Sequence, residues 1–264
     1  MEGCDYMLAL KQENSNVIQF EVIKSKKNQP KLKMDGTIKQ TPNNNTEDRW
    51  VNPIRNKDDI EKILKYLQSQ IENATRIDTL MAARRNVLIF AIGINVGLRV
   101  SDLVELQWEN LFEDDMKTFK QIRPTKEQKT GKMKDICPNE FMKRYITDYL
   151  NKTGIVPQKE EYIFLRSRKG KDGNFKPIDD STVEKMMKDI QENLLDYDVN
   201  THSLRKTYAY HKYMMYTERK DPLALVKVQK DLNHRNSSDT ARYLGITRDE
   251  AIKSSMELGE YWEL

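Results

Sequence analysis

The sequence predicts an α+β chain, mainly helical, with one small antiparallel sheet. Three observations carry this. Apolar residues recur at spacings of three and four over most of the span after Asn52. One stretch, Thr79 to Val96, is apolar nearly all round, which marks a helix buried on every side. Two short strand-prone runs flank the turn Lys129-Thr130-Gly131-Lys132, the pattern of a hairpin.

Residues 1–50 stand apart from this pattern. Val17–Ile23 has the make-up of a single strand, a lysine-rich stretch follows it, and Thr41–Thr46 reads as linker. The expected division is therefore an N-terminal segment and linker over 1–50 and one domain over 51–264. In that domain Asn56 caps a helix whose inner face is Ile60, Ile63, Leu64, Leu67 and Ile71. Gly97 stops the buried helix, and Ser101 is placed to cap a short helix carrying Leu103, Leu106 and Trp108 inward. Arg99 then falls in the turn between the two. Phe119–Arg123 and Met133–Cys137 are the expected hairpin strands. Phe141–Leu150 reads as helix and Tyr162–Arg166 as strand.

Further on, Ser181–Leu195 is amphipathic, with Val183, Met186, Met187, Ile190 and Leu194 on one side. Ser203 is a candidate cap for a helix running to about Tyr216. Tyr208, Tyr210, Tyr213 and Tyr216 read as packing residues with hydroxyls at the rim. Pro222 suits a helix start, and that helix is expected to reach Asn233. Ser237 or Ser238 begins a short helix that presents Tyr243. Thr247 caps a last helix ending near Tyr261 and Trp262.

Composition narrows the class. A chain of 264 residues can bury a sizeable core. The formal net charge is only +4, so the distribution of charge says more than its sum. Lys117, Lys120, Arg123, Lys126, Lys129, Lys132 and Lys134 crowd one segment. Arg166, Arg168, Lys169 and Lys171 form a second cluster, and Lys24, Lys26, Lys27, Lys31 and Lys33 a third. Basic clusters of this kind suit a phosphate-bearing partner, and Lys126, Lys132, Lys134, Arg166, Arg168 and Lys169 are the candidate contacts. Two distant cysteines, Cys4 and Cys137, make neither a disulfide framework nor a metal site. No apolar run reaches the ~18 residues of a membrane span, and no secretory leader is apparent. An intracellular, reducing location is expected.

Four segments hold the chemistry. They are Gly97-Leu98-Arg99-Val100-Ser101-Asp102-Leu103, Gln128-Lys129-Thr130-Gly131-Lys132, His202-Ser203-Leu204-Arg205 and Leu232-Asn233-His234, the last followed by Tyr243. Each piece has an ordinary explanation on its own. Tyr243, for instance, is one of 12 tyrosines, most of which pack. Their joint order and spacing are what count. That set resembles the catalytic domain of the tyrosine recombinases, the phage integrase family, over about residues 53–260. Its most specific part is His202-x-x-Arg205, then His234, then Tyr243 nine positions later.

The resemblance implies the tyrosine recombinase catalytic-domain fold and a role for each matching residue. Arg99 and Arg205 grip a DNA phosphate, Lys129 is the hairpin lysine, and His202 and His234 share protons. Tyr243 is the nucleophile and Asp102 helps orient Arg99. The implied activity is site-specific cutting and rejoining of DNA through a 3′-phosphotyrosine, with no metal or other cofactor. The implied partner is double-stranded DNA, bound by a chain that is monomeric when free and dimeric to tetrameric on DNA. A directionality factor is a further implied partner, and the cytoplasm of a bacterial or phage-infected cell the location. Family members carry an N-terminal helical domain that closes a clamp on DNA, and residues 1–50 lack the apolar periodicity for one. Two other readings use the same residues: a DNA-binding regulator of this fold without turnover, and a type IB topoisomerase.

Overall fold

The computed structural model describes residues 51–129, 131–244 and 254–259. The strand expected at 17–23, the linker at 41–46 and the basic cluster at 24–33 lie outside these. So do both ends of the expected last helix, which is helical over its described stretch, 254–259. Among the described residues, no helix is long and apolar enough to cross a membrane.

Helix α1 spans Lys57–Glu72, and the Asn56 side chain accepts from Asp58 N–H as the sequence indicates. Helix α2, Ile77–Val96, is the centre of the domain. It packs against α1, against α4 (Glu140–Thr153), against α5 (Asp180–Leu194) and against α6 (Thr201–Glu218). Being covered on several sides explains its near-continuous apolar sequence. Ile89, Phe90, Ala91 and Ile92 are fully buried, and even Arg85 is buried, donating from Nη1 to the Leu165 carbonyl at 2.9 Å.

Helix α3 covers Val100–Val104, with Arg99 rather than Ser101 at the position before its first residue and no side-chain capping bond there. The chain leaves α2 through Gly97 in a left-handed turn and re-enters helix at once, so no room remains for a later cap. Leu103, Leu106 and Trp108 are buried, as their spacing requires.

The sheet has two antiparallel strands, β1 Arg123–Lys126 and β2 Met133–Ile136. Strand β2 falls where expected, but β1 begins where the expected strand ends. Phe119 instead stacks on Phe112 with ring centroids 4.4 Å apart. Pairing was decided by the partner: Arg123 faces Ile136 and Lys126 faces Met133. Pro124 is tolerated because an edge strand can lack a donor. Tyr162–Arg166 forms no strand. It makes single bridges, Tyr162 with Gln107 and Leu165 with Pro177, while Ile163 and Phe164 fill the core.

Helix α6 begins earlier than Ser203 suggested. Asn200 is the cap, accepting from His202 N–H, and the Ser203 hydroxyl accepts from Asn200 N–H at 3.1 Å. This reciprocal pair is a capping box with Ser203 as its third helical residue. Helix α7 is shorter than expected, Ala224–Asp231, because Asn233 turns left-handed at φ 55°. Helix α8, Ser237–Leu244, presents Tyr243 as foreseen.

Among the described residues there are two apolar clusters. The larger gathers α1 to α5 with Leu204 of α6. The smaller joins α6, α7 and α8 through Ala209, Val228, Leu232 and Leu244, with the four tyrosines of α6 against it. Helix α6 belongs to both, so it sets the distance between them. Close approach of α2 and α6 depends on glycine: a Cβ on Gly93 would meet Leu204 Cδ1 at 2.9 Å, and one on Gly97 would meet Tyr208 Cδ1 at 2.2 Å. Gly97 also needs φ 60°. Gly97→Ala should therefore cost ~3 kcal/mol, from a left-handed backbone penalty and an overpacked ring. Urea unfolding measures this, and a near-neutral effect would show that the Tyr208 ring moves aside freely.

Candidate active site

Four chain segments converge at the junction of the two clusters. The turn after α2 delivers Arg99. The hairpin delivers Lys129 and Lys132. Helix α6 delivers His202 and Arg205 from its first turn, and the turn before α8 delivers His234. A cleft of about 400 Å³ is lined by Arg99, Lys129, Lys132, Asn233, His234 and Arg235, with Asn236 and Asp239 at its edge.

Behind the cleft wall lies Arg205, only 2% exposed. Its Nη1 donates to the Gly97 carbonyl at 2.9 Å and to Glu127 Oε1 at 2.9 Å. Its Nη2 donates to the Leu232 carbonyl at 2.6 Å. The Arg205 Nε finds no acceptor among the described residues. Arg99 Nη1 also lies 2.9 Å from Glu127 Oε1, as an ion pair without the alignment of a hydrogen bond. One buried carboxylate oxygen thus holds both arginines. The other oxygen, Oε2, accepts from Asn233 Nδ2 at 3.3 Å.

Glu127 also shapes the hairpin tip. Its N–H donates to the Lys132 carbonyl at 2.9 Å, and its carbonyl accepts from Gly131 N–H at 2.8 Å. Asp102 holds the same tip from α3: its Oδ1 accepts from Gln128 N–H at 2.9 Å. Glu127 is thus a carboxylate beside Arg99, and Asp102 holds the hairpin tip. Lys132 Nζ donates to the Asn233 carbonyl at 2.9 Å, tying the hairpin to the His234 turn. Lys129 is exposed at the tip.

The histidines stand among permanent cations. Desolvation, then the Arg205 and Arg99 charges, push His234 down to about 4. Its Nδ1 is 3.1 Å from the buried Thr240 hydroxyl. With Thr240 donating to Nδ1, the neutral ring carries its proton on Nε2 and can still donate. His202 is also held below its ordinary range, by desolvation and then by Lys206, Arg205, Arg99 and Lys129. Tyr243 packs edge-on against His234, ring centroids 4.7 Å apart, and the Lys206 ammonium sits 5.4 Å from the Tyr243 ring centre. Lys206 itself is buried and donates to the Val51 carbonyl at 2.6 Å.

The remaining candidate cations divide. Lys126 is exposed on β1. Lys134 is a correction: it lies on the buried face of β2, donates to the Asp231 carbonyl at 2.6 Å and stands 4.9 Å from the Tyr208 ring centre. Burial, then the Arg205 charge, push it down to about 7. A surface role was expected because lysine runs are usually solvated, but strand alternation turned this one inward. Arg166 pairs with Asp179 at 3.1 Å, Arg168 with Asp78 at 3.2 Å, and Lys169 lies over Phe175 at 5.4 Å. None of these three lines the cleft.

Comparison with known proteins bears on the family and the fold. The profile of the phage integrase family matches residues 55–250. The chain belongs to the phage integrase family. It is 29% identical over 201 residues to the probable integrase/recombinase YoeC of Bacillus subtilis (strain 168), covering 75% of this chain and 92% of that one. Its fold resembles that of the XerH site-specific recombinase in a post-cleavage complex with a palindromic difH substrate, with a TM-score of 0.52 and 16% identity. The match covers 81% of this integrase-family chain and 55% of XerH. The XerA recombinase matches similarly, with a TM-score of 0.51, 15% identity, and coverage of 80% and 65%. This chain thus spans less than two thirds of each of these two proteins. The observed fold is that of the tyrosine recombinase catalytic domain.

Sequence reasoning missed Glu127, Asn233 and Lys206. A signal for Glu127 existed: it is the only acid between Lys117 and Lys134, in a segment crowded with cations. It also continues the inward alternation of Arg123 and Thr125.

His234 makes a pH prediction. Its folded pKa lies below the unfolded value of about 6.5, so between the two values the unfolded chain binds a proton that the folded chain refuses. Stability is full above that window and falls as pH drops through it. Urea midpoints compared at neutral and mildly acid pH should fall less in His234→Gln than in the unmodified chain. An unchanged acid-side loss would assign it to other groups.

Proposed function

We propose that this chain is a site-specific DNA recombinase that cuts and rejoins double-stranded DNA through a 3′-phosphotyrosine. The observation that supports it most is the convergence of Arg99, Lys129 and His234 on one cationic cleft, with Arg205 directly behind and Tyr243 packed on His234. A phenol with pKa ~10 needs help to attack phosphorus. His202, kept neutral by its surroundings, is suited to take the Tyr243 proton. The Tyr243 oxygen bonds to phosphorus, and the bond from phosphorus to the 5′-oxygen breaks. Lys129, exposed at the hairpin tip, hands a proton to that oxygen.

Charge on the non-bridging oxygens grows in the transition state. Arg99, Arg205 and the His234 N–H stabilise it there more than in the ground state, with ~3–4 kcal/mol per preorganised donor a fair scale. The phosphotyrosine conserves the energy of the broken linkage, so a second strand's 5′-hydroxyl can reverse the step. Side chains alone supply every proton and charge in this scheme. Assembly follows the same reading: a monomer when free, dimers on one site and tetramers at a synapse. Residues 248–262 would serve as the exchanged segment, and a directionality factor would bias the outcome toward integration or excision.

The test uses short nicked duplexes with randomised sequence around the nick. Escape of the short fragment traps a covalent adduct that survives denaturant, and sequencing the trapped DNA reads out the site. The unmodified chain should form the adduct. Tyr243→Phe should bind DNA with nearly unchanged affinity and form none, because only the nucleophilic oxygen is gone. An adduct mapped to another tyrosine would remove Tyr243 from this role. Binding without any adduct would favour a regulator, and relaxation of a plasmid without the selected site would favour a topoisomerase.

Lys129→Ala should lose the adduct on ordinary DNA and regain it when the 5′-leaving oxygen is replaced by sulfur, since a thiolate departs without a proton. Rescue of Lys132→Ala instead would move the general acid to Lys132.

A further inference from the structure

We infer that Glu127 is a positioning residue for the strand-transfer reaction, holding Arg99 and Arg205 in a fixed relation to each other and to the Lys129 turn before DNA arrives. The inference rests on the recombinase reading above and adds to it a group that acts only through others.

The geometry is specific. Oε1 of Glu127 lies 2.9 Å from Nη1 of Arg99 and 2.9 Å from Nη1 of Arg205. Oε2 accepts from Asn233 Nδ2, one residue before His234. The Glu127 backbone closes the hairpin turn that carries Lys129. A single residue therefore touches every segment that brings a group to the cleft, α8 excepted.

Two guanidinium groups needed on one phosphate repel each other until the phosphate is present. Glu127 is fully buried and Arg205 nearly so, so this repulsion is poorly screened. A shared carboxylate offsets it and leaves the pair arranged in advance. A purely stabilising role would need only the Arg205 contact, since a buried arginine requires a counter-charge. The contact to Arg99 is different. Arg99 lines the open cleft and is 22% exposed, so its solvation does not demand a buried partner. What the contact provides there is direction. The contact is made through Nη1, which is buried against Glu127, while the rest of the Arg99 side chain faces the cleft.

Glu127→Gln tests this, since it keeps size and one acceptor oxygen and removes the charge. Affinity for the nicked duplex pool is measured in a Tyr243→Phe background. The rate of adduct formation is measured with Tyr243 intact, and thermal unfolding is recorded under the same conditions. The expected result is binding equal to or tighter than that of the unmodified chain, with adduct formation slower by about tenfold or more, the scale for losing a partner that orients a working group. Adduct formation at the unmodified rate or faster overturns the proposal. So does a parallel fall in binding and rate that tracks the folded fraction, which would make Glu127 structural.

If Glu127→Gln does not fold, arginine side-chain ¹⁵N spectra of the unmodified, DNA-free chain decide. Restricted guanidinium rotation at both Arg99 and Arg205 supports the proposal, and free rotation at Arg99 overturns it. If the unmodified chain forms no adduct with the pool, the recombinase reading fails, and these spectra still report on Glu127 separately.

Discussion

The Glu127 carboxylate is the contact on which the rest of the site depends. It is a buried acid in a basic stretch of the chain, and it ends up between two arginines contributed from far apart in sequence. Burying a charge is costly unless it is paired and hydrogen-bonded, and Glu127 meets that condition only if α6, the turn after α2 and the hairpin arrive together. The ion cluster thus acts as a check on tertiary assembly. It also explains why Arg205 can be buried at all: Gly97 and Leu232 carbonyls take up further donors, so most of the guanidinium is satisfied within the protein.

Packing makes the ion cluster possible. Gly93 and Gly97 let α6 lie close to α2, and Gly97 at the same time ends α2 in a left-handed turn. The residue whose carbonyl receives Arg205 is the residue whose lack of a side chain admits Tyr208. Backbone geometry, helix packing and the site are joined at one position. The smaller apolar cluster then carries α7 and α8 as a unit on α6, which places His234 in the cleft wall with Tyr243 packed against it.

Electrostatics sort the titratable groups by what surrounds them. Arginine stays charged whatever its burial, so Arg99 and Arg205 act as permanent sources of field. The groups able to lose a proton respond to that field. His234, His202 and Lys134 are all driven toward their neutral forms. Neutral imidazole can accept or donate a proton, as strand transfer requires. Lys129 is exposed at a turn whose base is anchored by Asp102 and Glu127. Firm base and exposed tip suit the part proposed for Lys129, reaching a leaving atom on a bound duplex.

Much of this was legible in the chain itself. The helical class, the buried α2, the cap at Asn56, the turn at Gly97 and the order of Arg99, Lys129, His202, Arg205, His234 and Tyr243 all follow from local rules of periodicity, capping and motif spacing. Such rules operate within a few residues, so a linear reading can apply them. Other features were decided by partners distant in sequence. The start of β1 was set by pairing with β2, the early end of α7 by the left-handed Asn233, and the inward turn of Lys134 by the sheet face that packs on Tyr208. Glu127 is the clearest case. Its type and place could be read, but a lone acid among lysines looks like a solvated counter-charge. Only the folded chain, by removing water and bringing Arg99 and Arg205 to the same oxygen, turns it into the centre of the site.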